Sequence, residues 1–275
     1  MTLPTQTLSA AAATAAGALL LRHELKSRRT AERIAAASLE ALLKAIDAND
    51  PQTGAHVRRV ASYALVLADA AGLDEHEKRS VERVALFHDI GKIHEALFDI
   101  IHDDRTLSTA ERRQIATHPQ RGADVLSPLA GFYPDLPEGV LSHHEWWNGT
   151  GYPRRLKGRR IPLSARVVAI ADTFDAVTHS RRYRDGRPAE KACEVVLEGR
   201  GTQFDPELTD LFILPPVFAR ILATSRQVLR WQEPIRSRRT GRDEEDVPDI
   251  SFRWHPGRSG TRGRPASDQK RRTER

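Results

Sequence analysis

Apolar residues recur at helical spacing through most of this chain, and no stretch of useful length alternates at the two-residue period of a half-buried strand. From Ala31 to Asp47, the residues Ile34, Leu39, Leu42, Leu43 and Ile46 fall near one face and predict an amphipathic helix. Asp50-Pro51 ends it, because the residue before a proline is pushed out of the α region. In Thr53–Ala71, His56 shares its direction with Val60, Tyr63 and Leu67, and Gly72 supplies the stop. Asp74 and Glu77 spell a capping box before a helix whose buried stripe is Val81, Val84, Ala85 and His88. Ser108 and Glu111 spell a second, opening a helix predicted to end near His118-Pro119. Pro119 suits the first turn of another short helix, through Leu126. A Pro- and Gly-rich loop over 128–139 leads to a short helix predicted to bear His143 and His144, then to the turn-rich segment from Glu145 to Pro153. Pro162–Thr178 reads as an apolar helix carrying Asp172 and Asp175. Helices over Pro188–Gly199 and Pro206–Trp231, the latter broken at Pro215-Pro216, complete an all-α pattern without an internal repeat.

The organisation expected is an N-terminal segment over 1–30, one helical body over 31–230 and a disordered basic tail over 236–275. The apolar run from Leu8 to Leu21 is about 14 residues long, short of the roughly 20 that a spanning helix needs. No basic segment precedes it, as a secretory leader would require. A weak membrane anchor and a continuous soluble helix running into 31–47 are its two readings, with the body cytoplasmic in either case. The net charge is +6, and residues 236–275 carry 12 basic against 7 acidic residues, leaving +1 for everything before them. A domain that coats nucleic acid is therefore not indicated, and the tail reads as solvated chain. A single cysteine, Cys193, fits a reducing compartment and rules out a multi-thiolate metal site.

The candidate chemistry lies in histidines and carboxylates spaced about one helix apart. His88-Asp89 closes an apolar helix and is followed by Gly91 and Lys92. Taken alone, that dipeptide reads as a core histidine with a capping aspartate. His56, His118, His143, His144 and Asp172 change the picture, because six of the seven candidates lie on or at the end of predicted helices whose other inward residues are apolar. Several buried imidazoles and carboxylates need a compensating charge, and divalent cations supply it. Nitrogen and oxygen donors without thiolate suit iron, manganese, nickel, cobalt or zinc. A carboxylate such as Asp89 can bridge two ions, which in such sites lie about 3.5–4 Å apart, an arrangement suited to phosphodiester hydrolysis.

In order along the chain stand Asp50-Pro51-Gln52-Thr53-Gly54-Ala55-His56, His88-Asp89-Ile90-Gly91-Lys92, Thr117-His118-Pro119 and His143-His144-Glu145. Asn148-Gly149-Thr150-Gly151-Tyr152-Pro153, Ala171-Asp172-Thr173-Phe174-Asp175-Ala176 and Gly201-Thr202-Gln203-Phe204-Asp205-Pro206 follow. This succession, over roughly residues 45–212, strongly resembles the HD-GYP family, a branch of the HD phosphohydrolases. The resemblance implies an HD-type helical bundle with extra C-terminal helices and a GYP loop. It implies a metal-dependent phosphodiesterase that hydrolyses cyclic di-GMP to pGpG or GMP in second-messenger signalling. The alternatives are another nucleotide substrate and a catalytically weak adapter acting through the GYP loop. By the same resemblance His56, His88, Asp89, His118, His143, His144 and Asp172 are metal ligands for two ions, iron or manganese before nickel, cobalt or zinc. Asp89 and Lys92 are the catalytic pair. Arg181, Arg184, Gly151, Tyr152 and Pro153 contact the substrate, and the loop offers a surface to a diguanylate cyclase or other signalling protein.

Where some members carry a third-metal glutamate this chain has Gln52, so two ions are expected; the usual loop aspartate is Asn148, and 93–105 lacks the common proline-containing segment. No receiver or sensor pattern precedes the motifs, so the input signal is expected from elsewhere. His23, His76, His94, His102, His179 and His255 are expected at the surface or in local structure. Asp175 is expected to support a neighbour rather than bind metal. Trp146 and Trp147 are expected in core or rim packing rather than stacked on a guanine.

Overall fold

The computed structural model describes the backbone of residues 5–93, 108–179 and 186–232, and the side chains of 21–93, 108–179 and 186–225. Arg181, Arg184, His94, His102, His255 and the tail 236–275 lie outside the described residues. Within them the chain is helical, and the strand-like pairing recorded is an isolated bridge between Arg200 and Phe204. Among the described residues, those from Ala37 onward form one compact unit, and those up to Ala36 group separately.

Helix α1 (Thr5–Asn49) runs without a break through the N-terminal apolar run and on past 31–47. No single helix among the described residues is long and apolar enough to cross a membrane. Ile34 departs from expectation: it is exposed, while Leu39 and Ile46 are buried and Leu42 and Leu43 half-buried. At about 100° per residue, Ile34 lies roughly 140° round the helix from Leu39, off the stripe to which it was assigned.

Helix α2 (Pro51–Ala70) opens on Asp50, whose carboxylate accepts from Gln52 N at 3.0 Å and Thr53 N at 3.3 Å. It runs through the middle of the larger unit, against α3 (Glu75–Phe87), α7 (Leu163–Thr178) and α10 (Pro215–Gln232). Val57, Val60, Tyr63, Ala64 and Leu67 are wholly buried there. Burial of each larger side chain is worth about 1.5–3 kcal/mol. Tyr63 meets Phe174 edge-on at 5.3 Å, and Phe174 meets Phe212 at 5.4 Å and Phe218 at 6.0 Å. This aromatic cluster ties α2, α7, α9 (Pro206–Ile213) and α10 together, α9 following α8 (Ala189–Glu198).

Both capping boxes form, at Asp74/Glu77 and at Ser108/Glu111. Helix α4 (Thr109–Ile115) stops short of the predicted His118-Pro119, and α5 (His118–Leu126) starts afresh. Pro119 has no N–H to give to the Ile115 carbonyl four residues back, and His118 Nδ1 takes that carbonyl instead, at 2.7 Å. Helix α6 (Asp135–Ser142) begins inside the predicted loop and ends before the histidines it was expected to bear. Leu136 and Val140, one turn apart and fully packed, account for the early start. His143 occupies the C-cap and His144 lies beyond.

Candidate metal centre

The ends of α3, α5 and α6 carry much of the site, with His56 inside α2 and Asp172 inside α7. His88 is the C-cap of α3, and its Nδ1 lies 2.7 Å from the Ala85 carbonyl. His143 Nδ1 lies 2.6 Å from the Val140 carbonyl. With His118, three imidazoles thus donate Nδ1–H to a carbonyl three residues back, among those that a helix C-terminus leaves without an intrahelical partner. A carbonyl only accepts, so the proton belongs on Nδ1 and each Nε2 presents a lone pair.

Those lone pairs converge. His118 Nε2 lies 3.1 Å from His143 Nε2, a pair of acceptors with no proton between them when both rings are neutral. Burial pushes both pKa values down, that of His143 to about 4, with Lys92 adding to the effect on His118 and His88 to that on His143. His144 is likewise pushed well down by burial, then by His143 and His118. His88 Nε2 is buried without a hydrogen-bond partner.

His56 is held differently. Its Nδ1 lies 2.7 Å from Asp175 Oδ2, and its Nε2 lies 3.3 Å from Asp172 and 3.7 Å from Asp89. Burial works against the charged ring, but Asp172 and Asp175 outweigh it and raise the pKa to about 9. Asp175 also takes Arg59 Nε at 2.7 Å and Arg59 Nη2 at 2.9 Å, and lies 3.0 Å from His179 Nδ1. It supports His56, as expected; His179, assigned to local structure, joins this network through Asp175. Arg59 was not singled out. Its place one turn after His56 was the only signal, and basic residues at that spacing are common on exposed helix faces.

Asp89 stands between two groups of donors. Ligand atoms of His56, His88 and Asp172 lie within 4.8 Å of one another, and so do those of His118, His143 and His144. Asp89 Oδ2 is 3.7 Å from His56 Nε2 and 3.5 Å from His88 Nε2, while Oδ1 is 3.4 Å from His118 Nε2. Lys92 Nζ is 2.7 Å from both oxygens, but hydrogen-bond geometry is met only at Oδ2, leaving Oδ1 buried without a partner. Burial opposes ionisation of Asp89, yet Lys92 and the surrounding imidazoles hold its pKa well below the usual carboxylate range. All seven sequence-assigned ligands therefore meet in one place. The donor set suits a pair of divalent cations: five imidazoles, two carboxylates, and orphaned atoms on His88 and Asp89 facing the centre.

The loop after α6 closes over the His144 side. Glu145, 3 % exposed, accepts from Arg154 N at 2.7 Å and Leu156 N at 3.0 Å and so staples the loop. Its signal in the sequence is a carboxylate directly before a turn-rich segment. Tyr152 N donates to the His144 carbonyl at 3.1 Å, and its ring stacks on the His144 imidazole, 4.9 Å between centroids and 27° between planes. Asn148 receives Thr150 N at 2.9 Å, and the loop is pinned by Trp147 N and Asn148 N to the carbonyls of Gln203 and Thr202. Trp146 is at the rim and Trp147 half-buried.

Residues 40–208 match a family model described as HD domain. The chain belongs to the HD domain family. The HD-GYP motifs are thus carried by an HD domain with an all-α fold. This HD domain protein is 36% identical over 174 residues to the 3′3′-cGAMP-specific phosphodiesterase 2 of Vibrio cholerae, covering 62% of this chain and 33% of that protein. It is 35% identical over 178 residues to the cyclic di-GMP phosphodiesterase response regulator RpfG of Xanthomonas campestris, covering 64% and 47%. The chain spans between a third and a half of the length of these relatives. A solved structure of the cyclic GMP-AMP-specific phosphodiesterase V-cGAP3 of Vibrio cholerae superposes with a TM-score of 0.50 at 22% identity, covering 70% of this chain and 52% of that one. At that identity the likeness speaks for the fold.

Proposed function

We propose that this HD domain is a metal-dependent phosphodiesterase acting on cyclic di-GMP. The observation that carries the reading is Asp89, with one oxygen toward His56 and His88 and the other toward His118. His56, His88 and Asp172 would hold one divalent cation, His118, His143 and His144 the other, and Asp89 both. Iron or manganese is the pair proposed. Such ions supply Lewis-acid activation of water and charge for the phosphoryl oxygens. The chain's own groups then position the substrate. Lys92, the most exposed member of the centre's charged groups, offers an ammonium beside Asp89 to a phosphate oxygen. Arg181 and Arg184 are proposed to bind the second phosphate, as arginine forks suit phosphate oxygens. Gly151, Tyr152 and Pro153 line the His144 side. The loop's outer face, with Trp146 and Thr150 exposed, is the surface proposed for a signalling partner.

A second substrate is favoured by one observation: two relatives 36% identical to this chain are named for 3′3′-cGAMP. Protein purified without oxygen should contain two divalent ions per chain and open one or both dinucleotides to linear products, with cyclic di-GMP preferred. Asp89→Ala should lose metal and turnover while keeping its helical spectrum. Two bound ions with neither dinucleotide consumed would reject the phosphodiesterase reading in favour of the adapter.

A further inference from the structure

Four of the five imidazoles in the centre have Nδ1 fixed by an acceptor: a backbone carbonyl for His88, His118 and His143, and Asp175 for His56. For His144 no such bond is present among the described residues. Rings surround it instead: His143 at 4.1 Å, His118 at 5.0 Å and 87°, and Tyr152 stacked at 4.9 Å and 27°. His118 and His143 are themselves donors in the same group, so Tyr152 is the ring there that is not itself assigned to a cation. We propose that Tyr152 is a positioning residue whose stacked ring sets the plane of His144, and thereby completes the His118–His143–His144 cation site.

The local backbone is built for that stacking. A β-carbon on Gly151 would lie 2.2 Å from Trp146 N and 2.5 Å from the His144 carbonyl. Only glycine permits so close an approach, and the approach is what lets Tyr152 N reach the His144 carbonyl. Glu145, next to His144 in sequence, receives the amides of Arg154 and Leu156 on the far side of Tyr152. Tyr152 is therefore gripped before and after, and its ring is delivered to one face of His144. Groups that orient metal ligands without touching the metal are worth about 10–100-fold in affinity. The inference rests on the two-cation reading and adds to it an asymmetry between the two sites.

Cobalt(II) titration of the metal-free full chain, followed by absorption and by competition with a chromophoric chelator, tests this directly. The unaltered protein should take up two equivalents. Tyr152→Leu should bind one equivalent about tenfold or more weakly and the other unchanged, with altered visible bands for the weakened one. Tyr152→Phe, which keeps the ring, should restore both. If Tyr152→Leu does not fold, Tyr152→Met carries the same expectation, since its flexible thioether fills irregular gaps without a flat ring. Full retention of both sites, equal weakening of both, or failure of Tyr152→Phe to rescue would each overturn the proposal. Two equivalents in the unaltered protein with no change in the variants rejects the Tyr152 role alone. No uptake by the unaltered protein rejects the metal-centre reading as well.

Discussion

His56 and the His118–His143–His144 group titrate in opposite senses, and that opposition is measurable without metal. The folded pKa of His56 is about 9 against an ordinary 6.5, so its contribution to stability is complete below pH 6.5 and is lost as pH rises through about 9. The other three are shifted down, so their contribution is complete above pH 6.5 and is lost as pH falls, for His143 through about 4. Chelated protein should have its highest Tm near pH 6.5, with a decline on both sides. A Tm that climbs steadily from pH 6.5 to 9 would contradict the His56 environment described. The identity of every donor was legible in the sequence, since imidazoles and carboxylates stand out on the inward faces and at the ends of apolar helices. Their roles relative to one another were not. Which oxygen of Asp89 faces which histidines, and that Arg59 and His179 share Asp175 with His56, depend on packing between helices far apart in the chain.

Helix ends deliver five of the donors, His88, Asp89, His118, His143 and His144, while His56 and Asp172 come from within α2 and α7, and the elements meet through small residues. The turn Ile90–Ile93 packs against α5 at Gly91, where a β-carbon would lie 2.1 Å from the His118 carbonyl and 2.7 Å from Gly122 N. Gly91→Ala must therefore push Lys92 and Asp89 away from His118. It should cost about 1–3 kcal/mol in urea unfolding and weaken cation binding as well. Gly131, where a β-carbon meets nothing within 4 Å, provides the neutral comparison. Equal stabilities for the two alanine variants would refute the tight contact. Element positions were mostly readable from capping boxes and prolines. The exceptions had physical causes: Ile34 lies a third of a turn or more round the helix from the buried Leu39 and Ile46. In α6, Pro137 and Gly139 read as loop, yet Gly139 is helical, and its lack of a β-carbon, which would lie 2.4 Å from Val84, lets α6 approach α3 closely.

The larger unit extends beyond the family match, which ends at residue 208. Helix α10 lies past that limit, yet Val217 and Ile221 are buried, Tyr63 Oη is 2.9 Å from Ser225 Oγ, and Phe218 joins the aromatic cluster. Removing residues 236–275 should leave hydrolysis and metal content unchanged, whereas removing 215–275 should uncover α2 beneath His56 and lose both. Retention of both by the shorter chain would show α10 to be dispensable. The aim of the centre is set from the backbone. His88, His118 and His143 each spend a ring nitrogen on the carbonyl of a helix terminus, so those rings cannot swivel to follow a cation of another radius. Choice between ions of different size is then written into the spacing of three helix termini, and accommodating a larger ion means moving main chain rather than turning side chains.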